Sequence, residues 1–248
     1  MSPRPAPRRC RPALALAAGL TAALVAGCSG GFGEPDPVTQ EGASISSLWR
    51  GSVIAALAVG VLVWGLIGWA LIRYRRRGDS VPDQSPYNIP IEILYTVVPV
   101  VIVAVLFFFT LRTERAVTHN PGPPDVTVEV IGFQWQWQFR YPEEGITVTG
   151  ASVGEPPEMV LPVGQRVRFE LRATDVAHSF WVPRFLAKKD LIPGLRNSMT
   201  VDTTERGRYV GRCAEFCGLD HWRMNFAVRV VRPAEYRRWL AEQKQAGS

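Results

Sequence analysis

Charge is scarce in this chain. Only 20% of its 248 residues are Asp, Glu, Lys or Arg, while 47% are hydrophobic. A disordered chain shows the opposite balance, and a purely soluble domain carries more charge on its surface. The formal charge of +6 reflects the N-terminus: Arg4, Arg8, Arg9 and Arg11 stand in the first 27 residues without an acid, and the remainder holds 24 basic against 22 acidic residues. No basic patch interleaved with aromatics occurs, so nothing points to a nucleic-acid partner. Cysteine is equally sparse, at four residues. Cys10 and Cys28 lie in or at the end of the N-terminal leader, which leaves Cys213 and Cys217, too few for a disulfide-built scaffold. The absence of a Cys-x-x-Cys-His sequence excludes a covalently attached haem.

What is present divides the chain into five parts. Residues 1–27 read as an export signal: Arg8, Arg9 and Arg11 precede an apolar run from Ala13 to Ala26. That run ends in Leu24-Val25-Ala26-Gly27-Cys28, a lipoprotein-type processing site that would make Cys28 the lipidated N-terminus; the alternative is an ordinary signal peptide that contains a cysteine. Residues 28–48 are rich in Gly, Pro and Ser and read as a linker. Residues 49–111 hold two apolar spans. Gly51 to Ile72 has no charged residue and would make a helix of about 33 Å, enough to cross a bilayer. Ile91 to Leu111 carries one charge, Glu92, and contains Pro99, which membrane helices tolerate. Between the spans lie Arg73, Arg75, Arg76 and Arg77, and short basic loops stay on the cytoplasmic side. The chain after Arg112 is therefore expected outside, in the cell membrane of a bacterium.

Residues 112–232 read as an all-β domain. Alternation appears at Val126-Val128-Val130, from Phe133 to Tyr141, at Val167-Phe169-Leu171 and at Phe226-Val228-Val230, with Gly and Pro turns between. Short strands so spaced predict a sandwich or barrel. Residues 233–248 turn helical, with Tyr236, Trp239 and Leu240 on one face.

The chemistry sits in Cys213-Ala214-Glu215-Phe216-Cys217-Gly218-Leu219-Asp220-His221-Trp222-Arg223-Met224, with His178 on an earlier strand. By itself the cysteine pair fits a disulfide, or a zinc site with His178 and His221. A disulfide leaves both histidines and Met224 unexplained, and zinc leaves the methionine. Soft sulfur with imidazole suits copper in electron transfer, and a second cysteine lets both thiolates bridge two metals. Phe216, Trp222 and Phe226 are expected to keep water from the site.

From Ile45 to Leu240 the chain resembles subunit 2 of haem-copper cytochrome c oxidase. The resemblance rests on the Cys-x-Glu-x-Cys-x-x-x-His-x-x-Met loop, on Asp175-Val176-Ala177-His178-Ser179 and on Gln134-Trp135-Gln136-Trp137. It implies a two-helix transmembrane hairpin followed by a cupredoxin-like Greek-key sandwich, and a dinuclear copper centre that takes electrons from cytochrome c and passes them to subunit 1, where oxygen is reduced with proton translocation. Carried over by residue, Cys213 and Cys217 bridge both coppers, His178 and Met224 complete one, and His221 with the Glu215 carbonyl completes the other. The Glu215 side chain would also reach a magnesium shared with subunit 1. Trp135 stands where electrons enter, and Glu92, seven residues before Pro99, stands at the mouth of a proton path. Partners implied are the other oxidase subunits and a cytochrome c or complex-bound c-type cytochrome. Three rivals fit less well: quinol-oxidase subunits lack the copper ligands, a copper carrier favours exposed ligands, and nitrous-oxide reductase needs a further domain.

Overall fold

The computed structural model describes residues 32–76, 78, 84–118 and 122–246. The export signal expected over 1–27 and the expected lipidation site Cys28 lie outside these residues. The chain divides into two units, residues 1–36 and 37–248, and the helices and strands described below belong to the second.

Two helices carry the apolar spans, α1 (Gln40–Arg73) and α2 (Ile89–Thr118). Their apolar side chains face outward, with Val61 at 74%, Trp64 at 73% and Ile72 at 77% exposure. Water would not tolerate such helices, whereas a bilayer matches them. Both are longer than the expected spans 51–72 and 91–111. At 34 residues α1 would be about 51 Å long, well beyond a hydrocarbon core of about 30 Å.

The surplus corrects the linker expected over 28–48. Thr39 caps α1, its hydroxyl accepting from the Gly42 backbone N–H at 3.0 Å, and residues from Gln40 onward are helical. This polar end is docked, not free. Val38 is fully buried, its N–H donates to the Arg184 carbonyl, and its own carbonyl accepts from Thr204. The Glu41 carboxylate, also buried, accepts from the Asp202 N–H at 2.9 Å. Burial raises its proton affinity, a cost the hydrogen bond partly offsets.

After α2 come ten strands: β1 (Val126–Phe133), β2 (Gln136–Tyr141), β3 (Ile146–Thr149), β4 (Glu158–Pro162), β5 (Arg166–Ala173), β6 (His178–Val182), β7 (Ala187–Leu191), β8 (Asn197–Asp202), β9 (Gly207–Cys213) and β10 (Asn225–Val231). They form two five-stranded sheets, ordered β3-β2-β1-β5-β8 and β4-β10-β9-β6-β7. Pairing is parallel between β1 and β5 and between β10 and β4, and antiparallel elsewhere. Strand period accounts for the layers. In β5, Val167, Phe169 and Leu171 point into the core, while the alternating Arg166, Arg168, Glu170 and Arg172 point out. The terminal helix α3 (Pro233–Ala246) buries Tyr236, Trp239 and Leu240, as its periodicity requires.

The single alternating run expected from Phe133 to Tyr141 is in fact two strands. A turn at Gln134 and Trp135 breaks it, so Trp135 and Trp137 do not share an environment: Trp137 is fully buried and Trp135 only half-buried. Trp137 packs edge-on against Phe226 (5.1 Å between centroids), and Phe226 stacks on Phe180 at 4.9 Å. Emptying this position should be costly. Trp137→Ala is expected to lower unfolding stability by about 3–5 kcal/mol, measurable by denaturant titration.

Candidate metal centre

The site is built at one end of the sandwich by three adjacent strand ends. His178 opens β6, Cys213 closes β9, and Met224 immediately precedes β10. The neck of the loop is fixed by a backbone bond from the Cys213 N–H to the Met224 carbonyl, and the Ala214 N–H donates to the Ser179 carbonyl of β6. Within the loop a single helical turn, His221–Arg223, presents His221 beside Cys217. Gly218 permits the bend between them. Its φ is +119°, and a Cβ there would lie 3.1 Å from the Trp135 indole nitrogen.

These constraints bring the expected side chains together. The two sulfurs are 3.9 Å apart and unbonded. His178 Nδ1 is 3.8 Å from Cys213 Sγ, His221 Nδ1 is 3.5 Å from Cys217 Sγ, and Met224 Sδ is 3.7 Å from Cys217 Sγ. The Glu215 carbonyl oxygen is 3.2 Å from Cys213 Sγ. His178, Cys213, Cys217 and Met224 are buried and His221 is partly so. A metal–thiolate bond is about 2.3 Å, so both sulfurs can reach the same ion from either side.

The electrostatics call for a cation. Burial pushes the Cys213 thiol up, but its bonds to His178 and neighbouring groups outweigh this and bring it to about 7. Burial together with the negative charge of Cys213 pushes Cys217 up to about 12. Ionising both thiols is disfavoured unless positive charge lies between them. His178 is oriented from behind: its Nε2 meets Asp175 Oδ1 at 2.9 Å, while Asp175 Oδ2 accepts from the Gln134 N–H at 2.6 Å. A carboxylate that fixes a ligand imidazole in this way sets which nitrogen faces the metal. Sequence reasoning quoted Asp175 within a motif but gave it no role. Its position three residues before His178 was the available signal.

Trp135 and Gln134 both reach the loop, donating from Nε1 (3.0 Å) and Nε2 (2.8 Å) to the Cys217 carbonyl. Trp137 donates from Nε1 to the Met224 carbonyl at 3.2 Å. The expected water-excluding shell is only partly present. Phe226 is buried, but Phe216 is 77% and Trp222 75% exposed. They lie on the outward side of a loop whose ligands take up its inward side. Glu215 also exposes its carboxylate. Glu92 lies far along the chain, at the start of α2, where its carboxylate accepts from the Asn88 N–H at 2.9 Å.

Comparison with known proteins agrees with this architecture. Residues 32–113 match the model of the cytochrome C oxidase subunit II transmembrane domain, and residues 152–231 that of its periplasmic domain. The chain belongs to the cytochrome c oxidase subunit II family. A probable cytochrome c oxidase subunit 2 of Streptomyces avermitilis is 44% identical, with 99% of this chain and 90% of that protein aligned. Cytochrome c oxidase subunit 2 of Mycobacterium tuberculosis is 35% identical over 93% of this chain and 81% of its own length. Among solved structures, the periplasmic domain of subunit II of cytochrome oxidase (CoxB) of Bradyrhizobium japonicum is 31% identical, covers 51% of this chain and 99% of that one, and gives a TM-score of 0.47. Subunit II is the copper-binding, electron-accepting subunit of the haem-copper oxidase complex, an oxidoreductase. Here it is a membrane protein with, among the described residues, two transmembrane helices and a periplasmic cupredoxin-like domain.

Proposed function

We propose that this subunit II takes electrons from a c-type cytochrome at Trp135 and delivers them, through a two-copper centre, to the haem of subunit 1, where oxygen is reduced and protons are moved. The observation that carries the reading is the convergence of two thiols, two imidazoles, a thioether and a carbonyl at one end of the sandwich. When bound, a copper pair supplies a centre that accepts and releases one electron with little rearrangement.

The chain's own residues do the rest. Cys213, Cys217, His178, Met224, His221 and the Glu215 carbonyl would hold the two ions. Asp175 holds His178 with Nδ1 toward the sulfurs. The sheet ends hold Cys213 and Met224 against each other, so the ligands need not move as charge passes. Glu215 is exposed, and its carboxylate is the group that would meet a magnesium shared with subunit 1. Cys28, by its sequence context, would add a lipid anchor to the two helices in the cell membrane.

The test is copper content and electron spin resonance of the full-length chain loaded in detergent. Two coppers per chain, with hyperfine structure from one electron over both nuclei, are expected. A single copper in a folded chain with reduced cysteines would overturn the reading in favour of a carrier or structural site.

Glu92 is assigned to proton entry. Its helix-capping bond gives it a structural role as well, and Glu92→Gln separates the two, since glutamine keeps an acceptor for the Asn88 N–H. Turnover of the assembled oxidase should fall about 10-fold or more through loss of the ionisable group, with the copper spectrum intact. Unchanged turnover would leave Glu92 as a cap alone.

A further inference from the structure

The turn between β3 and β4, residues 150–155, contains no copper ligand, yet it is held from two sides by residues of the site. Gln136, 7% exposed and flanked by Trp135 and Trp137, donates from Nε2 to the Ser152 carbonyl at 2.6 Å and the Glu155 carbonyl at 3.3 Å. Arg223, which follows Trp222 and directly precedes Met224, donates from Nη2 to the Val153 carbonyl at 2.9 Å. Its guanidinium also lies 3.6 Å from Asp220 Oδ1 and 5.7 Å from the centre of the Trp222 ring. The turn makes room for it at Gly154, where φ is +92° and a Cβ would come within 2.7 Å of Arg223 Nη2.

The two ends of the ligand loop are not held alike. At its neck the Met224 carbonyl receives both the Cys213 N–H and the Trp137 indole N–H. The preceding turn, which carries His221, has the short-range bonds from Met224 N–H to His221 and from Arg223 N–H to Asp220, together with the Arg223 side chain that ties it to another part of the sandwich. A methionine side chain is flexible and its thioether a weak ligand, so its place depends on backbone held by other groups.

We infer that Arg223, anchored on the 150–155 turn that Gln136 holds in place, is a positioning residue that sets Met224 and His221 against Cys217. This rests on the two-copper reading above. The brace also joins Gln136, the residue after Trp135 and the first of β2, to the turn of His221, so the point of electron entry and the ligands are held by one piece of structure. Arginine suits the task because its planar fork reaches a carbonyl and a carboxylate at once; lysine can satisfy only one at a fixed geometry.

The test measures copper affinity of the full chain in detergent, by competition with a chelator, alongside electron spin resonance. Arg223→Ala should bind copper about 10–100-fold more weakly, the range for loss of a group that orients a ligand, with the hyperfine pattern no longer that of an evenly shared electron. Arg223→Lys should recover part of both. Gly154→Ala keeps Arg223 but crowds its guanidinium, and should shift both readouts in the direction of Arg223→Ala. Arg208→Ala, which removes an exposed ion pair with Glu158, should change neither. Wild-type affinity and spectrum in Arg223→Ala and Gly154→Ala would overturn the inference. A wild-type chain that takes up no copper pair would instead remove the reading on which it rests.

Discussion

Cys217→Ser is expected to abolish the two-copper signal and lower oxidase turnover with a c-type donor by more than about 100-fold, beyond the 10–100-fold typical of residues that only orient ligands. Cys217 lies beside three other side chains of the ligand set: Cys213 at 3.9 Å, His221 at 3.5 Å and Met224 at 3.7 Å. Serine conserves its size, so the loop should keep its shape. It replaces a soft sulfur with a hard oxygen, which suits copper poorly and does not ionise near neutral pH. Copper-to-protein ratio, spin resonance and turnover in the assembled complex give the three readouts. Retention of the wild-type hyperfine pattern would place the bridging atoms elsewhere.

Trp135→Ala should have the second largest effect and the opposite spectral signature. The indole stands half-exposed, with its N–H on the Cys217 carbonyl. One edge of the ring thus faces the ligand loop and the other is open to a donor. Removing it should slow electron entry about 100-fold, the scale of a small misplacement between reacting groups. The copper spectrum should stay close to wild type, because Gln134 still donates to the same carbonyl. Trp135→Phe keeps a ring but loses the N–H, and should fall between. The measurement is pre-steady-state reduction by the cytochrome donor. An unchanged rate in Trp135→Ala would move the entry point to another residue, such as the exposed Trp222 of the ligand loop.

Much of this architecture is legible in the residues alone. The uncharged run from Gly51 to Ile72 announces its helix, and β5 alternates in and out as Val167, Phe169 and Leu171 require. The metal loop is legible because four soft or imidazole ligands crowd twelve residues. Other features leave no such trace. The break at Gln134 and Trp135 lacks glycine and proline, so alternation alone runs through it. The outer end of α1 is polar and reads as a linker, because its helix is stabilised by docking rather than by an apolar stripe. Phe216 and Trp222 are apolar but exposed, and composition cannot tell which side of a loop a ring occupies. The Arg223 bond to Val153 joins residues 70 apart through a backbone carbonyl, which carries no side-chain signature at all.

The docking of Glu41 on Asp202 spans 161 residues of sequence, and this fixes an order of construction. A ribosome delivers α1 long before β8 exists, so the outer end of the first helix emerges with its binding site still unmade. The hairpin must therefore commit to its orientation without help from the sandwich. Only when residues 184 to 204 have been exported and folded can Val38 and Glu41 find their partners. The contact that joins helix to sandwich thus waits for chain made long after the helix itself.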